Sequence, residues 1–160
     1  MEDVFFESKN GTKFKYRVSI IIKNKNKILI ASDPWSNYWY LPGGKVNLSE
    51  SINNAIKREL KEELDLDVKF IKKHWLVESS FFNEFNKKQY HELSIIASVI
   101  PKNKEIFEKQ EIITNINGHK LTFKWININE LNQINFHPKF LVSKLKRKLP
   151  ENVEVFTDFN

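Results

Sequence analysis

From Lys13 to Ile22 apolar side chains alternate with others through Phe14, Tyr16, Val18 and Ile20, then run together, the pattern of a strand entering a core. Lys23-Asn24-Lys25-Asn26 predicts a hairpin turn, Lys27 to Ser32 the returning strand, and Asp33 to Asn37 a loop. Trp39-Tyr40-Leu41 predicts a short strand stopped by Pro42-Gly43-Gly44. Residues 49–64 contain neither Gly nor Pro and are rich in Glu, Lys, Leu and Ile, which predicts the best helix of the chain, with Asn47 and Glu50 spaced as a capping box. Val68 to Phe82 and Gln89 to Ile100 are aromatic and β-branched enough for two long strands, joined by the polar stretch 83–88. Leu121 to Ile126 predicts another strand, followed by a helical turn near Asn129-Glu130-Leu131. Pro138 suits the first position of a C-terminal helix reaching about Lys148. The order strands, helix, strands, helix predicts an α/β sandwich or α+β domain. No repeat, low-complexity tract or Pro/Gly/Ser linker divides residues 1–160, so a single domain is expected.

Composition narrows the chemistry. With 41% apolar residues, thirteen Phe and four Trp, the chain can fill one core. There is no Cys, so any bound metal has to be held by oxygen or imidazole, and hard cations become the expectation. The acidic start Met1 to Glu7 does not read as a secretory signal, and no stretch approaches the roughly 20 apolar residues of a membrane span. A cytoplasmic protein without membrane contact is therefore expected. The net charge of +6 favours anionic substrates. Its densest cluster, Lys144-Leu145-Lys146-Arg147-Lys148, reads first as a solvated basic helix, so nucleic acid is neither indicated nor excluded. A homodimer is left open.

On a helical wheel of about 100° per residue centred on Ile52, Leu48, Ala55, Ile56 and Leu60 fall within roughly 80° and form a buried stripe. Glu59 and Glu63 lie about 20° either side of Ile52, so they share that inward face, and Glu62 flanks it. Glu50, Lys57 and Lys61 lie on the far side. Three crowded inward carboxylates repel one another unless a cation compensates them. Mg²⁺ or Mn²⁺ suits an oxygen-only donor set that leaves positions for water and phosphate. An acid-rich helix end paired with Lys57, Arg58 and Lys61 is the other reading of the same residues.

Gly44 to Glu50, Ser51 to Lys57 and Arg58-Glu59-Leu60-Lys61-Glu62-Glu63-Leu64-Asp65-Leu66 together resemble the Nudix box, G-x5-E-x7-R-E-U-x-E-E-x-G-U with U aliphatic. Every fixed position matches except Asp65, where the family has Gly. Asp tolerates the left-handed backbone that a helix end calls for there, although its charge opposes the helix dipole. Leu41-Pro42-Gly43 before the box and Trp125 to Leu131 after it extend the similarity. The resemblance implies a Nudix-type α/β/α sandwich, with a mixed sheet, the box helix on one face and another helix on the other. It also implies metal ligation by Glu59, Glu62 and Glu63, with a backbone carbonyl from Gly44 or its neighbour Gly43. By the same resemblance Arg58 orients a glutamate through a salt bridge and Glu50 is a supporting or accessory ligand. The activity implied is hydrolysis of a phosphoanhydride in a nucleoside diphosphate linked to another moiety, a small-molecule substrate.

The general base is open among Glu78 and Glu92, which interrupt long strands, and the loop acids Glu105, Glu108 and Glu111. Arg17, between Tyr16 and Val18, matches an arginine that Nudix-like sequences often turn toward substrate phosphates. Trp39, with Trp35, Tyr38 and Tyr40, is a candidate for stacking a base, against core packing for the same rings. His91 and His137 could serve as base or ligand, or as structural histidines. Two rival functions are a nucleotide sensor of the same fold, which would be expected to lack box acids, and an RNA 5′-end pyrophosphohydrolase, which would need a basic single-strand path.

Overall fold

The computed structural model describes residues 2–116 and 118–159. Eight strands follow in chain order: β1 (Phe5–Glu7), β2 (Lys13–Asn24), β3 (Lys27–Ser32), β4 (Val68–Asn83), β5 (Lys88–Pro101), β6 (Glu111–Ile116), β7 (His119–Asn127) and β8 (Glu154–Phe159). Helix α1 (Ile52–Leu64) lies between β3 and β4, and the one-turn helix α2 (Leu141–Lys144) precedes β8. The strands join one mixed sheet in the order β6-β7-β3-β2-β5-β4-β8, with β1 added alongside β2. The pairs β2–β5 and β4–β8 are parallel and the others antiparallel.

Alternation along β2 divides the interior in two. Val18, Ile20 and Ile22 face Ala55, Ile56, Leu60 and Leu64 of α1. Ile21 points the other way, into a second core with Trp75, Ile96, Leu131, Phe136, Leu141 and Leu145. Helical pieces thus cover both faces of the sheet, an α/β/α arrangement. No helix among the described residues is long and apolar enough to cross a membrane.

The departures from the sequence reading have local causes. The helix begins at Ile52, not Ser49, because the Ser51 side chain accepts from Asn54 N–H and caps it. Asn47 and Glu50 do pair, Asn47 N–H donating to Glu50 Oε2 at 3.0 Å, but they close the turn ahead of the helix. Leu48, expected in the buried stripe, lies in that turn and is exposed. Trp39 to Leu41 makes only single bridges, Tyr40 with Ala31 and Trp39 with Phe136. The C-terminal helix is a single turn, since in this segment only Leu141 and Leu145 are fully buried and like charges crowd Lys144 to Lys148. Strands β1, β6 and β8 were not anticipated. As a result Glu111 begins β6, while Glu105 and Glu108 belong to a 3₁₀ turn, and all three are exposed.

Candidate active site

Helix α1 ends where Asp65 adopts φ 49°, ψ 39°, its N–H returning to the carbonyls of Leu60 and Lys61. Asp thus takes the left-handed position, and Lys61 pairs with both Asp65 and Asp67, which balances the added negative charge at the helix end. The helix buries Glu59 and Glu63 together with its apolar stripe. They face a segment that runs along β2, where Val18 N–H donates to Gly44 O at 2.9 Å and Ile20 N–H to Pro42 O at 2.8 Å. Gly43 has φ 131°, and a Cβ there would lie 2.3 Å from Val18 O. A Cβ on Gly44 would lie 2.5 Å from the Glu59 carboxylate. The two glycines therefore let the acidic helix face approach the backbone closely.

Arg58 organises the acids. Its Nε and Nη2 donate to the two oxygens of Glu50, each at 2.9 Å, and Nη2 also reaches Lys45 O. Nη1 holds Glu59 Oε1 at 2.7 Å and Glu62 Oε2 at 3.3 Å. Glu63 Oε2 accepts from Gly43 N–H at 3.2 Å. Burial raises the Glu59 carboxyl above its ordinary range, against the pull of Arg58. Burial and then the neighbouring Glu59 push Glu63 up to about 8, with Gly43 N–H and Arg17 opposing. Among the described residues no three carboxylate or imidazole groups already close on one point, because Glu59 and Glu62 lean on Arg58 while Glu63 leans on Gly43.

Arg17 on β2 completes the arrangement. Its burial disfavours the charge, but Glu92, Tyr40, Tyr38 and Glu63 outweigh that and keep the guanidinium firmly protonated. Among the described residues its buried Nε has no hydrogen-bond partner. Register places Arg17 opposite Ser94 and Lys15 opposite Glu92, so these four side chains share one face of the sheet. Burial and then Arg17 lower the Lys15 amine to about 8, and its Nζ sits 4.2 Å from the centre of the Tyr90 ring.

The structure thus gathers Glu59, Glu62, Glu63, Arg58, Glu50, Gly43 and Gly44, with Arg17 in electrostatic reach of both Glu63 and Glu92, and leaves other candidates outside this set. Glu92 is opposite Ser79 on β4, whereas Glu78 is opposite Leu93, so the two glutamates lie on opposite faces. Glu78 Oε1 pairs instead with His91 Nε2 at 3.3 Å. Both oxygens of Glu50 are engaged by Arg58, which fits an anchor better than a ligand. Trp39 packs on the second core with Lys124 4.1 Å above its ring, while Tyr38 and Tyr40 are the aromatics that sense Arg17. His137 makes a local contact with Asn135, and its ring meets Tyr38 edge-on. Lys15 and Ser94 were missed, although each stands two residues from a named candidate, the spacing that puts strand side chains on one face.

Comparison with known proteins bears on this geometry. The model of the NUDIX domain matches residues 13–145. The 8-oxo-dGTP diphosphatase of Buchnera aphidicola subsp. Schizaphis graminum is 31% identical over 124 residues, covering 74% of this chain and 81% of that protein. The RNA pyrophosphohydrolase of Pasteurella multocida is 42% identical over 69 residues, 39% of this chain, and the chain spans only about a third of the length of the RNA pyrophosphohydrolases it matches. The crystal structure of the mutator MutT protein from Bacillus halodurans shares the fold at 18% identity, with a TM-score of 0.61 over 89% of each chain. A domain match across most of the sequence, with the sandwich and the box helix in place, means that the chain belongs to the Nudix family.

Proposed function

We propose that the chain hydrolyses a phosphoanhydride in a nucleoside diphosphate linked to a second moiety, as a single domain over residues 1–160 in the cytoplasm. The observation that carries this reading is Arg17, a charged guanidinium whose buried Nε is unpartnered among the described residues, in electrostatic reach of buried Glu59 and Glu63. A buried donor without an acceptor invites an anion, and two carboxylates that burial penalises invite a cation. A polyphosphate with a divalent ion satisfies both.

Glu59, Glu62 and Glu63 fit such an ion: the donors are all oxygen, two are withdrawn from water, and Gly44 leaves space against Glu59 that a side chain would fill. They would hold Mg²⁺, or Mn²⁺ in its place, with a main-chain carbonyl from Gly43 or Gly44. When bound, the ion supplies charge neutralisation at the anhydride and acidity to water beside it. Arg58, anchored by Glu50, positions Glu59 and Glu62. Arg17 holds phosphoryl oxygens through its fork of donors. Glu92 accepts the proton of the attacking water on a carboxylate oxygen as water adds to phosphorus and the bond to the leaving phosphate breaks. The products are a monophosphate and the phosphorylated second moiety, or pyrophosphate from a triphosphate.

The test is a panel of nucleoside triphosphates including 8-oxo-dGTP, dinucleotides, nucleotide sugars and 5′-triphosphate RNA, each with Mg²⁺, Mn²⁺ or chelator. Cation-dependent turnover of at least one small nucleotide is expected, with Glu62→Gln and Glu63→Gln each slower by at least about a hundredfold. Turnover of RNA ends alone would transfer the reading to the RNA pyrophosphohydrolases, and binding without turnover would make the chain a sensor; either outcome sinks the proposal.

A further inference from the structure

Strand β8 closes one edge of the sheet, and the other side of an edge strand offers backbone donors and acceptors to whatever can pair with it. Edges of this kind are commonly protected by charged side chains, Pro or a bulge; β8 reads Glu-Val-Phe-Thr-Asp-Phe, pairs with β4 in unbroken register without Pro, and has its two charges, Glu154 and Asp158, on one face only. Val155, Thr157 and Phe159 lie opposite Leu76, Glu78 and Ser80, on the face that also carries α1. Val155 is 71% exposed and Phe159 56%. Phe159 ends a row of rings that crosses the sheet from Phe6 through Phe14 and His91, with centroid spacings of 4.9, 5.9 and 5.7 Å.

We propose that β8 pairs antiparallel with β8 of a second copy about a two-fold axis at Thr157. An axis normal to the sheet pairs only residues of the same face, so the register choices are few. Centring on Phe156 sets Glu154 against the partner's Asp158 twice, and centring on Asp158 sets two aspartates face to face; like charges directly opposite oppose both. Centring on Val155 carries Phe159 past the end of the partner strand. Centring on Thr157 sets Val155 against the partner's Phe159, Phe159 against the partner's Val155, and Asp158 against the partner's Phe156. Both exposed apolar side chains are then covered by each other's copies. The two sheets become one, and both α1 helices lie on the same side of it.

The absence of Cys from the sequence makes the register directly testable. Thr157→Cys places two thiols at the axis, where facing Cα atoms about 4.5 to 5.5 Å apart permit a disulfide. Mild oxidation should convert most of this variant to a covalent dimer, while Lys57→Cys, on the exposed face of α1, stays monomeric on a non-reducing gel. The unmodified chain should sediment as a dimer at micromolar concentration. Val155→Lys should raise the dissociation constant at least about a hundredfold without altering the circular dichroism spectrum, since the two-fold applies the substitution twice. A monomer in sedimentation, or a dimer that Thr157→Cys fails to capture, overturns the proposal.

Discussion

The ionisation of Glu63 gives the acidic helix face a measurable signature in the folding equilibrium. In the unfolded chain this carboxyl titrates near 4.5, whereas burial and Glu59 lift it to about 8 in the folded protein. Between those values the folded state keeps a proton that the unfolded state has lost, so stability falls as pH rises, by up to about 1.4 kcal/mol per unit. From pH 4.5 to 7.5 the loss approaches roughly 4 kcal/mol, which for a chain of this size corresponds to about 10 °C in melting temperature. Glu63→Gln removes the titration and keeps an oxygen to accept from Gly43 N–H. With chelator present, the variant should melt close to the parent at pH 4.5 and well above it at pH 7.5.

Divalent cation should then close most of that gap. An ion that binds the ionised carboxylates takes over the role of the proton, so Mg²⁺ at about a hundred times its dissociation constant returns roughly 2.7 kcal/mol to the parent at pH 7.5. The variant, having lost that ligand charge, should gain far less. Urea unfolding and thermal melts across pH 4.5 to 8.5, with and without Mg²⁺, measure both effects. Parallel pH profiles for parent and variant would refute the reasoning, because they would mean that Glu63 ionises in the folded state as freely as in the unfolded one.

Gly43→Ala should destabilise the fold by a few kcal/mol in urea titrations, since the new Cβ meets Val18 O at 2.3 Å and the backbone sits at φ 131°. Arg58→Lys should cost about 1–3 kcal/mol and lower activity more than tenfold, because an ammonium cannot span Glu50, Glu59, Glu62 and Lys45 O together. Glu92→Gln should lower kcat by at least about a hundredfold while Glu78→Gln stays within about twofold, as the two lie on opposite faces of the sheet; the reverse ranking would assign the base to Glu78.

Local signals account for what could be read of the fold. Period-two alternation marked β2, and Lys27 to Ser32 coincides with β3, because both strands bury one or both faces and their composition shows it. Edge strands carry no such signal. β1 and β6 are exposed at every second position or more, and a half-solvated edge tolerates polar residues that read as loop. β8 lacks a clean alternation, because Phe156 falls on the same face as Glu154 and Asp158, and its pairing with β4 is parallel and distant in sequence, so no hairpin turn announces it. The helix start was displaced by three residues because Asn47 and Glu50 imitate a capping box while Ser51 supplies the cap.

The site divides along the same line. Helical periodicity alone turned Glu59 and Glu63 inward, and both are buried, so the acidic face was legible without any partner element. The contribution of the sheet was not, because it depends on register between strands some 75 residues apart: Arg17 meets Ser94 and Lys15 meets Glu92 only once β2 and β5 pair in parallel. The same register separates Glu78 from Glu92, two residues that sequence treats alike as acids in apolar strands. A side-chain period of two has no absolute phase until a partner strand fixes which face is inside. A candidate base on a strand can therefore be named from sequence only as a pair of opposite parities, and here the pairing with Lys15, two residues from Arg17, puts Glu92 on the face of Arg17.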